Sequence, residues 1–244
     1  MPLNQSNFPE TADIETASDD YATRFSGAVG HYFLETQTAF TLELLRQYQG
    51  CRVLDVGGGH CQLAAPLIQH GFQVTITGSD ESCGQRAQAT LPQGSYTYQT
   101  CNSLELPFAD RAFDVVLSFR LLPHVTRWEA LIDELCRVAD KLVIVDYPDI
   151  RSSNLLYRLL FQLKKSMEGN TRTYTMFNRT QIRRQFVANG FAPPVFCPEF
   201  FWPMVLHRHL RRPAVSTMLE APPRWLGLTY LLGSPIIAAS SRRS

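Results

Sequence analysis

The run Gly57-Gly58-Gly59 directly follows a short apolar segment, Cys51 to Val56, that has the composition of a buried β-strand. Three consecutive glycines allow a tight turn and let a ligand approach the backbone closely, because they carry no Cβ atom. Gln62 to His70 is predicted to form the next helix, and Gly71 to end it. Free backbone N–H groups at such a turn predict a ligand-binding site.

Carboxylates at the ends of the first two predicted strands indicate the charge of that ligand. Asp55 comes just before the glycines and would repel a bound pyrophosphate. The dinucleotide pattern Gly-x-Gly-x-x-Gly also fails, because Gln62 occupies its last position. Asp80 and Glu81 follow the second strand, where a carboxylate can accept hydrogen bonds from ribose hydroxyls. The pattern favours an adenosine ligand with a cationic group and no phosphate.

Three segments occur in order between residues 50 and 147. The first, Val53 to Gly59, contains the glycine run. The second, Leu106 to Val116, reads Leu-Pro-Phe-Ala-Asp-Arg-Ala-Phe-Asp-Val-Val, and the third runs from Arg137 to Asp146. Together they resemble motif I, the Leu-Pro-Phe segment and the next helix and strand of the class I S-adenosylmethionine (SAM)-dependent methyltransferases. The likeness is to their small-molecule branch, the ubiquinone/menaquinone-type enzymes.

This resemblance implies both a fold and a cofactor. The fold is α/β and Rossmann-like, a seven-stranded, mostly parallel sheet in the order 3-2-1-4-5-7-6, with helices on both faces and helical insertions. The cofactor is SAM, bound at the carboxyl ends of the strands, and the product is S-adenosylhomocysteine. The residues implied to bind it are Asp55, Gly57, Gly58, Gly59, Asp80, Glu81, Asn102, Ser103, Leu104, Phe119, Tyr21 and Arg24.

Two positions depart from the family pattern. Cys61 stands where motif I usually has its third glycine, and a small residue there is compatible with a slightly altered turn. Asn102 stands where relatives often have an acid that contacts the adenine amino group. Its amide oxygen can accept the same hydrogen bond. Neither departure predicts the loss of the site.

The length of 244 residues and the 45% hydrophobic content suit one domain with insertions. We expect residues 1–18 to form a flexible tail and residues 19–244 to form a single domain. Ser234 to Ser240 is predicted to be a final antiparallel edge strand, and Ser153 to Lys165 an amphipathic helix. Within the domain we expect an N-terminal helical layer (19–49), a cofactor-binding core (50–147) and two substrate-side insertions (149–178 and 203–233).

Composition also bears on the compartment. Residues 1–20 carry five acids and neither Lys nor Arg, unlike a secretory signal, and no apolar run is long enough to span a membrane. Six cysteines without Cys-x-x-Cys spacing indicate a reducing, cytoplasmic location.

Charge is distributed unevenly along the chain. Residues 151–213 hold 11 Lys and Arg against 2 Asp and Glu, which suggests an anionic acceptor, surface or polyanion near this segment. Phe200 to Arg212 mixes aromatic and cationic residues, and Trp225 to Ala239 is uncharged. These stretches are compatible with an acceptor tunnel, with interfacial membrane contact, or with ordinary core helices.

His124 and Tyr147 are the candidate catalytic residues. His124 follows the fourth strand and is either a general base or a structural hydrogen-bonding group behind the cofactor. Tyr147, next to Asp146 at the end of the fifth strand, would border the acceptor. No metal site is predicted, because the pattern His207-x-His209 with Cys197 is incomplete.

The sequence therefore predicts methyl transfer from SAM to oxygen or carbon of a small, anionic or amphipathic metabolite. Three alternatives stay open. One is an RNA methyltransferase that uses the basic segment 151–213 as a phosphate footprint. Another is a non-catalytic SAM-binding module. A nicotinamide oxidoreductase is disfavoured by Asp55 and by the missing glycine.

Overall fold

A computed structural model describes residues 8–152 and 174–243. These residues form one seven-stranded sheet in the order β3-β2-β1-β4-β5-β7-β6, which confirms the predicted order. The strands are β1 (Arg52–Val56), β2 (Gln73–Gly78), β3 (Tyr96–Thr100), β4 (Phe113–Ser118), β5 (Ala139–Tyr147), β6 (Val195–Pro198) and β7 (Ile236–Ser241). The α-helices are α1 (Ala12–Thr16), α2 (Asp19–Thr23), α3 (Gly27–Leu44), α4 (Ala64–Gln69), α5 (Gln85–Thr90), α6 (Trp128–Val138), α7 (Arg179–Ala188), α8 (Met204–Leu210), α9 (Pro213–Trp225) and α10 (Leu228–Leu232).

Helices cover both faces of the sheet, as predicted. Successive residues of a strand point to opposite faces, so Val53 and Leu54 of β1 belong to different apolar cores. On one face α6 buries Leu131 against Leu54. On the other face Phe40 of α3 and Leu67 of α4 pack with Val53. The strands β1 to β5 are parallel, so their carboxyl ends meet at one edge.

The strand β7 is antiparallel to both of its neighbours and lies between β5 and β6. The expectation that it forms an edge strand is therefore wrong, and β6 occupies the edge. Ile236 to Ala239 are apolar and buried, as expected for a strand that is covered on both sides. Val195 of β6 is exposed, which is compatible with an edge position.

Residues 8–18 contain a helix, whereas the sequence predicts a flexible tail over residues 1–18; residues 1–7 lie outside the described residues. The segment forms α1, and Asp13 in this helix is buried. The Asp13 carboxylate accepts hydrogen bonds from the Ser79 backbone N–H (2.6 Å) and from its hydroxyl (2.5 Å). These contacts join positions far apart in the chain, so the polar local composition does not predict them.

The first predicted insertion, 149–178, is described only at its two ends. Asp149 and Phe177 form a parallel bridge, and the Ile150 N–H donates to the Phe177 carbonyl at 3.0 Å. The ends of the insertion thus meet beside β5. The predicted helix Ser153 to Lys165 lies outside the described residues. The second insertion, 203–233, contains α8, α9 and α10 and is mostly helical, as predicted.

Glu220 connects the helices of the second insertion. Its buried carboxylate accepts hydrogen bonds from His207 Nε2 (2.9 Å) and from the backbone N–H groups of Phe201 (2.8 Å) and Trp202 (3.0 Å). One side chain of α9 thereby holds α8 and the segment before it.

We expect Glu220→Gln to lower the free energy of unfolding by about 1–3 kcal/mol, because the amide nitrogen cannot accept and leaves a buried donor unpaired. Urea unfolding at constant pH measures this. The matched control Glu43→Gln, at an exposed residue that pairs with Arg46, should change it by less than about 0.5 kcal/mol. Equal effects of the two substitutions would contradict the anchoring role of Glu220.

Among the residues that the structure describes, no helix is both long and apolar enough to cross a membrane.

Candidate functional site

The glycine turn lies at the carboxyl end of β1, as predicted. Gly57 has φ +72°, Gly58–His60 form a short 3₁₀ helix, and Cys61 has φ +59°. Cys61 thus adopts the left-handed conformation that a glycine would adopt most easily at this position. The turn extends through Cys61, so α4 begins at Ala64 and not at Gln62. A Cβ atom at Gly58 would lie 2.3 Å from Asp55 Oδ2, so only glycine fits here.

Asp55 lies directly beneath this turn and is fully buried. Neither carboxylate oxygen has a hydrogen-bond partner in the part of the chain that the structure describes. Burial raises the pKa of Asp55 to about 7 from its ordinary value of 3.8. An unpaired buried carboxyl is costly, and such groups are typical of sites that receive a complementary ligand.

His60 was not singled out from the sequence, yet it joins the turn to β4. The Gln62 N–H donates to His60 Nδ1 (3.3 Å), and Nε2 donates to the Phe119 carbonyl (3.4 Å). Burial lowers the pKa of His60 to about 3, so the ring is neutral. A neutral ring with its proton on Nε2 can make both of these hydrogen bonds. Phe119 is one of the residues predicted to bind the cofactor. Its side chain is buried in the core, so only its main chain faces the turn.

Asp80 lies at the end of β2 and caps the 3₁₀ helix Glu81–Gly84. Its Oδ1 accepts from the Ser82 N–H at 2.9 Å, and hydrogen bonding to Ser82 lowers the pKa of Asp80. The Tyr98 hydroxyl donates to the Asp80 carbonyl at 2.6 Å, which fixes this loop to β3. The carboxylate is therefore ionised and partly accessible, as a ribose-binding acid requires. Glu81 is exposed beside it.

The loop after β3 carries the other predicted adenine-side residues. Asn102 Oδ1 accepts from the Leu104 N–H at 3.1 Å, so the loop is closed on itself. Leu104 packs against the core beside α6, and Ser103 is partly exposed. The amide oxygen of Asn102 already has one partner and keeps one lone pair for an amino group.

The segment that lies over the turn precedes the predicted N-terminal layer (19–49), whose position over the cofactor stays a prediction. Ala17, between α1 and α2, approaches Gly59 so closely that a Cβ there would lie 2.9 Å from the Ala17 Cβ. The hydrogen bonds from Ser79 to Asp13 hold this cover against the end of β2.

A buried polar cluster lies at the carboxyl ends of β4 and β5. Its centre is Arg120, which has φ +61° and is almost fully buried. The Arg120 N–H donates to Asp146 Oδ1 (2.5 Å), and Nη2 donates to Gln37 Oε1 (3.1 Å). The guanidinium carbon lies 3.8 Å from the centre of the Phe25 ring. Nη1 has no partner within the described ranges.

Two carboxyl groups of this cluster differ in protonation. Burial raises the pKa of Asp146 to about 6. Burial and the neighbouring Asp146 charge raise the pKa of Glu199 to about 8, and Glu199 Oε1 is unpartnered among the residues described. Near neutral pH, Asp146 is ionised and Glu199 is protonated. The cluster therefore offers both a proton acceptor and a proton donor.

Tyr21 and Arg24, both predicted from the resemblance, take different positions. Tyr21 is buried beside the cluster, and burial raises its pKa while the Arg120 charge opposes that rise. Arg24 is largely exposed; its guanidinium lies 4.8 Å from the Tyr21 ring centre, and it pairs with Glu15 at 3.6 Å. The structure thus brings Tyr21, but not Arg24, into the polar cluster.

The predicted catalytic residues lie outside this cluster. Tyr147 is fully buried, with its ring centre 5.9 Å from that of Phe177, and burial raises its pKa. Because neighbouring strand residues point to opposite faces, Tyr147 faces away from the side occupied by Asp146. The His124 ring lies 5.6 Å from the Tyr174 ring. Catalytic roles for His124 and Tyr147 stay predictions.

No group of three metal-binding side chains occurs within residues 8–152 and 174–243. His207 is buried against Glu220, and exposed His209 bonds to the Val205 carbonyl through Nδ1 (2.9 Å).

Sequence signals for the cluster are local and weak. Arg120 is a charged residue directly after a buried strand, at the sheet edge where ligands bind in this type of fold. Glu199 is an isolated acid between Pro198 and Phe200. Gln37 lies within a helix and gives no signal by itself.

Comparison with known proteins finds similarity to a family and to individual proteins. Residues 54–142 match the family described as Methyltransferase domain. An O-methyltransferase of Aspergillus sclerotiorum is 26% identical over 163 residues, which cover 57% of this chain and 62% of that protein. A ubiquinone/menaquinone biosynthesis C-methyltransferase of Rhizobium leguminosarum bv. trifolii (strain WSM2304) is 29% identical over 115 residues, 43% of this chain and 45% of that protein.

Among solved structures, a magnesium protoporphyrin IX methyltransferase from Synechocystis PCC 6803 with bound SAH has a TM-score of 0.64 at 20% identity. The match covers 92% of this chain and 94% of that chain, and it confirms the predicted fold. The chain spans 33% to 62% of the length of the curated relatives it matches. The predicted family resemblance is confirmed over residues 54–142.

Proposed function

We propose that this chain transfers a methyl group from SAM to oxygen or carbon of a small acceptor. The proposal starts from the match of residues 54–142 to the methyltransferase domain family. SAM is the cofactor of this family, and its sulfonium supplies the methyl group when it is bound. The acceptor that best suits the site is anionic or amphipathic.

The observation that carries this proposal is the Asp55 carboxyl group. It is fully buried, it has no partner within the described residues, and it lies under a turn where a Cβ at Gly58 would collide with it. A ligand that brings a positive charge would compensate for the burial, whereas a pyrophosphate would add a second negative charge. The residues present therefore fit SAM better than they fit a dinucleotide.

The cofactor residues divide by the part of SAM that each would hold. Asp55 and the glycine turn would hold the positively charged amino acid end, and partly exposed Asp80 would accept hydrogen bonds from the ribose hydroxyls. Asn102, with Ser103 and Leu104, would border the adenine. Methyl transfer needs alignment of the two reactants more than it needs a covalent intermediate, so this chain's main contribution is positioning.

The polar cluster supports an acceptor with an acidic group. Arg120 presents the unpaired Nη1 in a buried environment, where a charge-assisted hydrogen bond is strong. Ionised Asp146 can accept a proton from a hydroxyl or an acidic carbon, and protonated Glu199 can donate a hydrogen bond to a developing oxyanion. Gln37 holds the Arg120 guanidinium in place. The four side chains support O- or C-methylation equally.

The RNA alternative needs accessible cations in the basic segment, and six of its seven described arginines are exposed (Arg151, Arg183, Arg184, Arg208, Arg211 and Arg212). Only Arg179 among them is half-buried, in an ion pair with buried Asp149 at 3.3 Å. Strong salt dependence of tRNA or rRNA binding would favour the RNA alternative.

Calorimetric titration with SAM and, separately, with NADH tests the proposal. We expect saturable binding of SAM and none of NADH. Turnover is then followed with methyl-labelled SAM and a panel of small acids and phenols. Binding of SAM without label transfer to any member of a cell-extract metabolite pool would favour the non-catalytic alternative, and binding of NADH alone would reject the assignment of the site.

Asp80→Ala should weaken SAM binding by about 1–3 kcal/mol, because two ribose hydroxyls lose their acceptor. The same calorimetric titration measures the change. Asp110→Ala, which removes an exposed carboxylate from the Arg137 ion pair, is the control and should leave SAM affinity unchanged. An Asp80→Ala variant with unaltered affinity would contradict the assignment of the ribose site.

A further inference from the structure

The helix α9 buries polar side chains and exposes apolar ones, which is the reverse of the usual arrangement in a surface helix. The face that it buries carries polar Ser216 and Glu220. The face that it exposes carries Met218, 74% exposed, and Trp225, 84% exposed. A helix in contact with water normally turns its apolar face inward. This arrangement indicates that the outer face of α9 meets an apolar environment.

The helix α10 continues the same pattern. Thr229 is buried, whereas Tyr230 and Leu231 are exposed by more than half. The two helices are joined by Gly227 in a left-handed conformation and pack on each other. We call the exposed apolar side chains of α9, α10 and the turn between them the apolar patch; its members are Met218, Trp225, Leu226, Tyr230, Leu231 and Leu232.

The segment that contains the apolar patch carries more exposed positive than negative charge. Between Trp202 and Leu232 the chain carries four arginines, Arg208, Arg211, Arg212 and Arg224, and one acid, Glu220. All four arginines are exposed, whereas Glu220 is buried and bonded to His207. Residues 202–232 thus combine exposed Trp, Tyr and Leu side chains with exposed arginines, and their one acid is buried.

We propose that this surface binds an anionic lipid bilayer, with the apolar patch inserted at the level of the headgroups. Trp and Tyr are the side chains preferred at the interface between lipid and water. Helices that lie in that interface combine an apolar face with Arg or Lys residues, which attract anionic headgroups.

The position of the surface is compatible with delivery of an amphipathic acceptor. Arg208 of α8 donates to the Arg24 carbonyl at 3.2 Å, and buried Phe200 packs against Phe33 of α3, with ring centres 5.1 Å apart. The same α3 carries Gln37 of the polar cluster. Lipid binding is nevertheless independent of methyl transfer and is tested without an acceptor.

Flotation of the full chain with vesicles tests the proposal. We expect the protein to float with phosphatidylcholine vesicles that contain phosphatidylglycerol, to float much less with phosphatidylcholine alone, and to be released partly by high salt. The double variant Trp225→Ser/Leu231→Ser should partition at least about tenfold more weakly, because two large apolar side chains no longer enter the lipid. Arg211→Gln/Arg212→Gln should reduce binding to the anionic vesicles only.

The matched control is Val195→Ser, which removes an exposed apolar side chain of β6 outside the patch and should leave flotation unchanged. SAM binding, measured in parallel, should be equal in all variants, so a failure of the lipid proposal is separate from a failure of the proposed function. Two results would overturn the lipid proposal. One is wild-type protein that does not float with anionic vesicles. The other is a dimer in sedimentation that Trp225→Ser/Leu231→Ser converts to monomer.

Discussion

Asp55→Asn is expected to abolish SAM binding and, at the same time, to make the ligand-free protein more stable at pH 8. The carboxyl group is fully buried and has no hydrogen-bond partner among the residues described, so burial raises its pKa to about 7. An amide occupies nearly the same volume without the charge. It removes the cost of burying a carboxylate, and it also removes the negative charge that a cationic ligand would need.

The sign of the pH dependence follows from the raised pKa. Between pH 3.8 and about 7 the folded protein keeps the Asp55 proton that the unfolded chain releases, so this group's contribution to stability falls as pH rises. Above about pH 7 Asp55 is ionised in both the folded and the unfolded protein, and the stabilising contribution of its proton is lost completely. The pKa of Asp55 differs by about three units between the folded and unfolded protein, which corresponds to about 4 kcal/mol in the free energy of unfolding. This value is the upper bound on the stability that Asp55→Asn restores at pH 8.

Urea unfolding at pH 5 and pH 8, together with calorimetry for SAM, measures both effects. Asp114→Asn is a control of opposite sign. Its ion pair with Lys141 lowers the pKa of Asp114, so the native carboxylate stabilises the fold at pH 8 and its removal should destabilise. If Asp55→Asn bound SAM like the wild type, or if it lost stability at pH 8, the assignment of Asp55 as a ligand-binding carboxylate would fail.

Arg120→Met should lower kcat/KM for an anionic acceptor by at least about a hundredfold, because removal of one partner from a buried charge pair costs about 3–5 kcal/mol. Methionine is long and apolar, so it can fill the space over the Phe25 ring. The backbone N–H that binds Asp146 is retained. SAM affinity should change by less than about threefold, since the proposed cofactor residues do not include this guanidinium.

Turnover with methyl-labelled SAM measures the Arg120→Met effect on the best anionic acceptor and on its neutral ester or amide. The neutral analogue should lose much less activity than the acid. Arg46→Met, the same substitution at an arginine whose side chain is 81% exposed, should leave both rates unchanged. Equal losses for acid and neutral analogue would reject recognition of an anionic group by Arg120 while leaving the methyl transfer proposal intact.

The geometry around the glycine turn could be predicted from the sequence because its signals are local. A buried strand, a glycine turn and a helix follow one another without interruption, and parallel strands bring the ends of β1 and β2 to the same edge. Asp55 and Asp80 therefore lie where the sequence analysis expected them. The cover of Ala17 and Asp13 could not be predicted in this way, since it depends on a hydrogen bond to Ser79.

The acceptor side was predicted less completely. Arg120, Gln37 and Glu199 come from three separate elements, and their burial together depends on how α3 and β6 pack at the sheet edge. Tyr147, whose catalytic role stays a prediction, illustrates the same limit of local signals. One position along β5 separates it from Asp146, and the alternation of strand side chains places the two on opposite faces.

The sequence by itself determined the α/β fold and, through the family resemblance, the strand order; it also predicts a phosphate-free adenosine site at the glycine turn. These features depend on residues that are close in the chain and on connection rules shared by parallel sheets. Only the tertiary structure decided which side chains form the buried polar cluster and that α9 turns its apolar face outward. Those features depend on contacts between distant segments, and burial, which sets their energies and pKa values, exists only after the chain has folded.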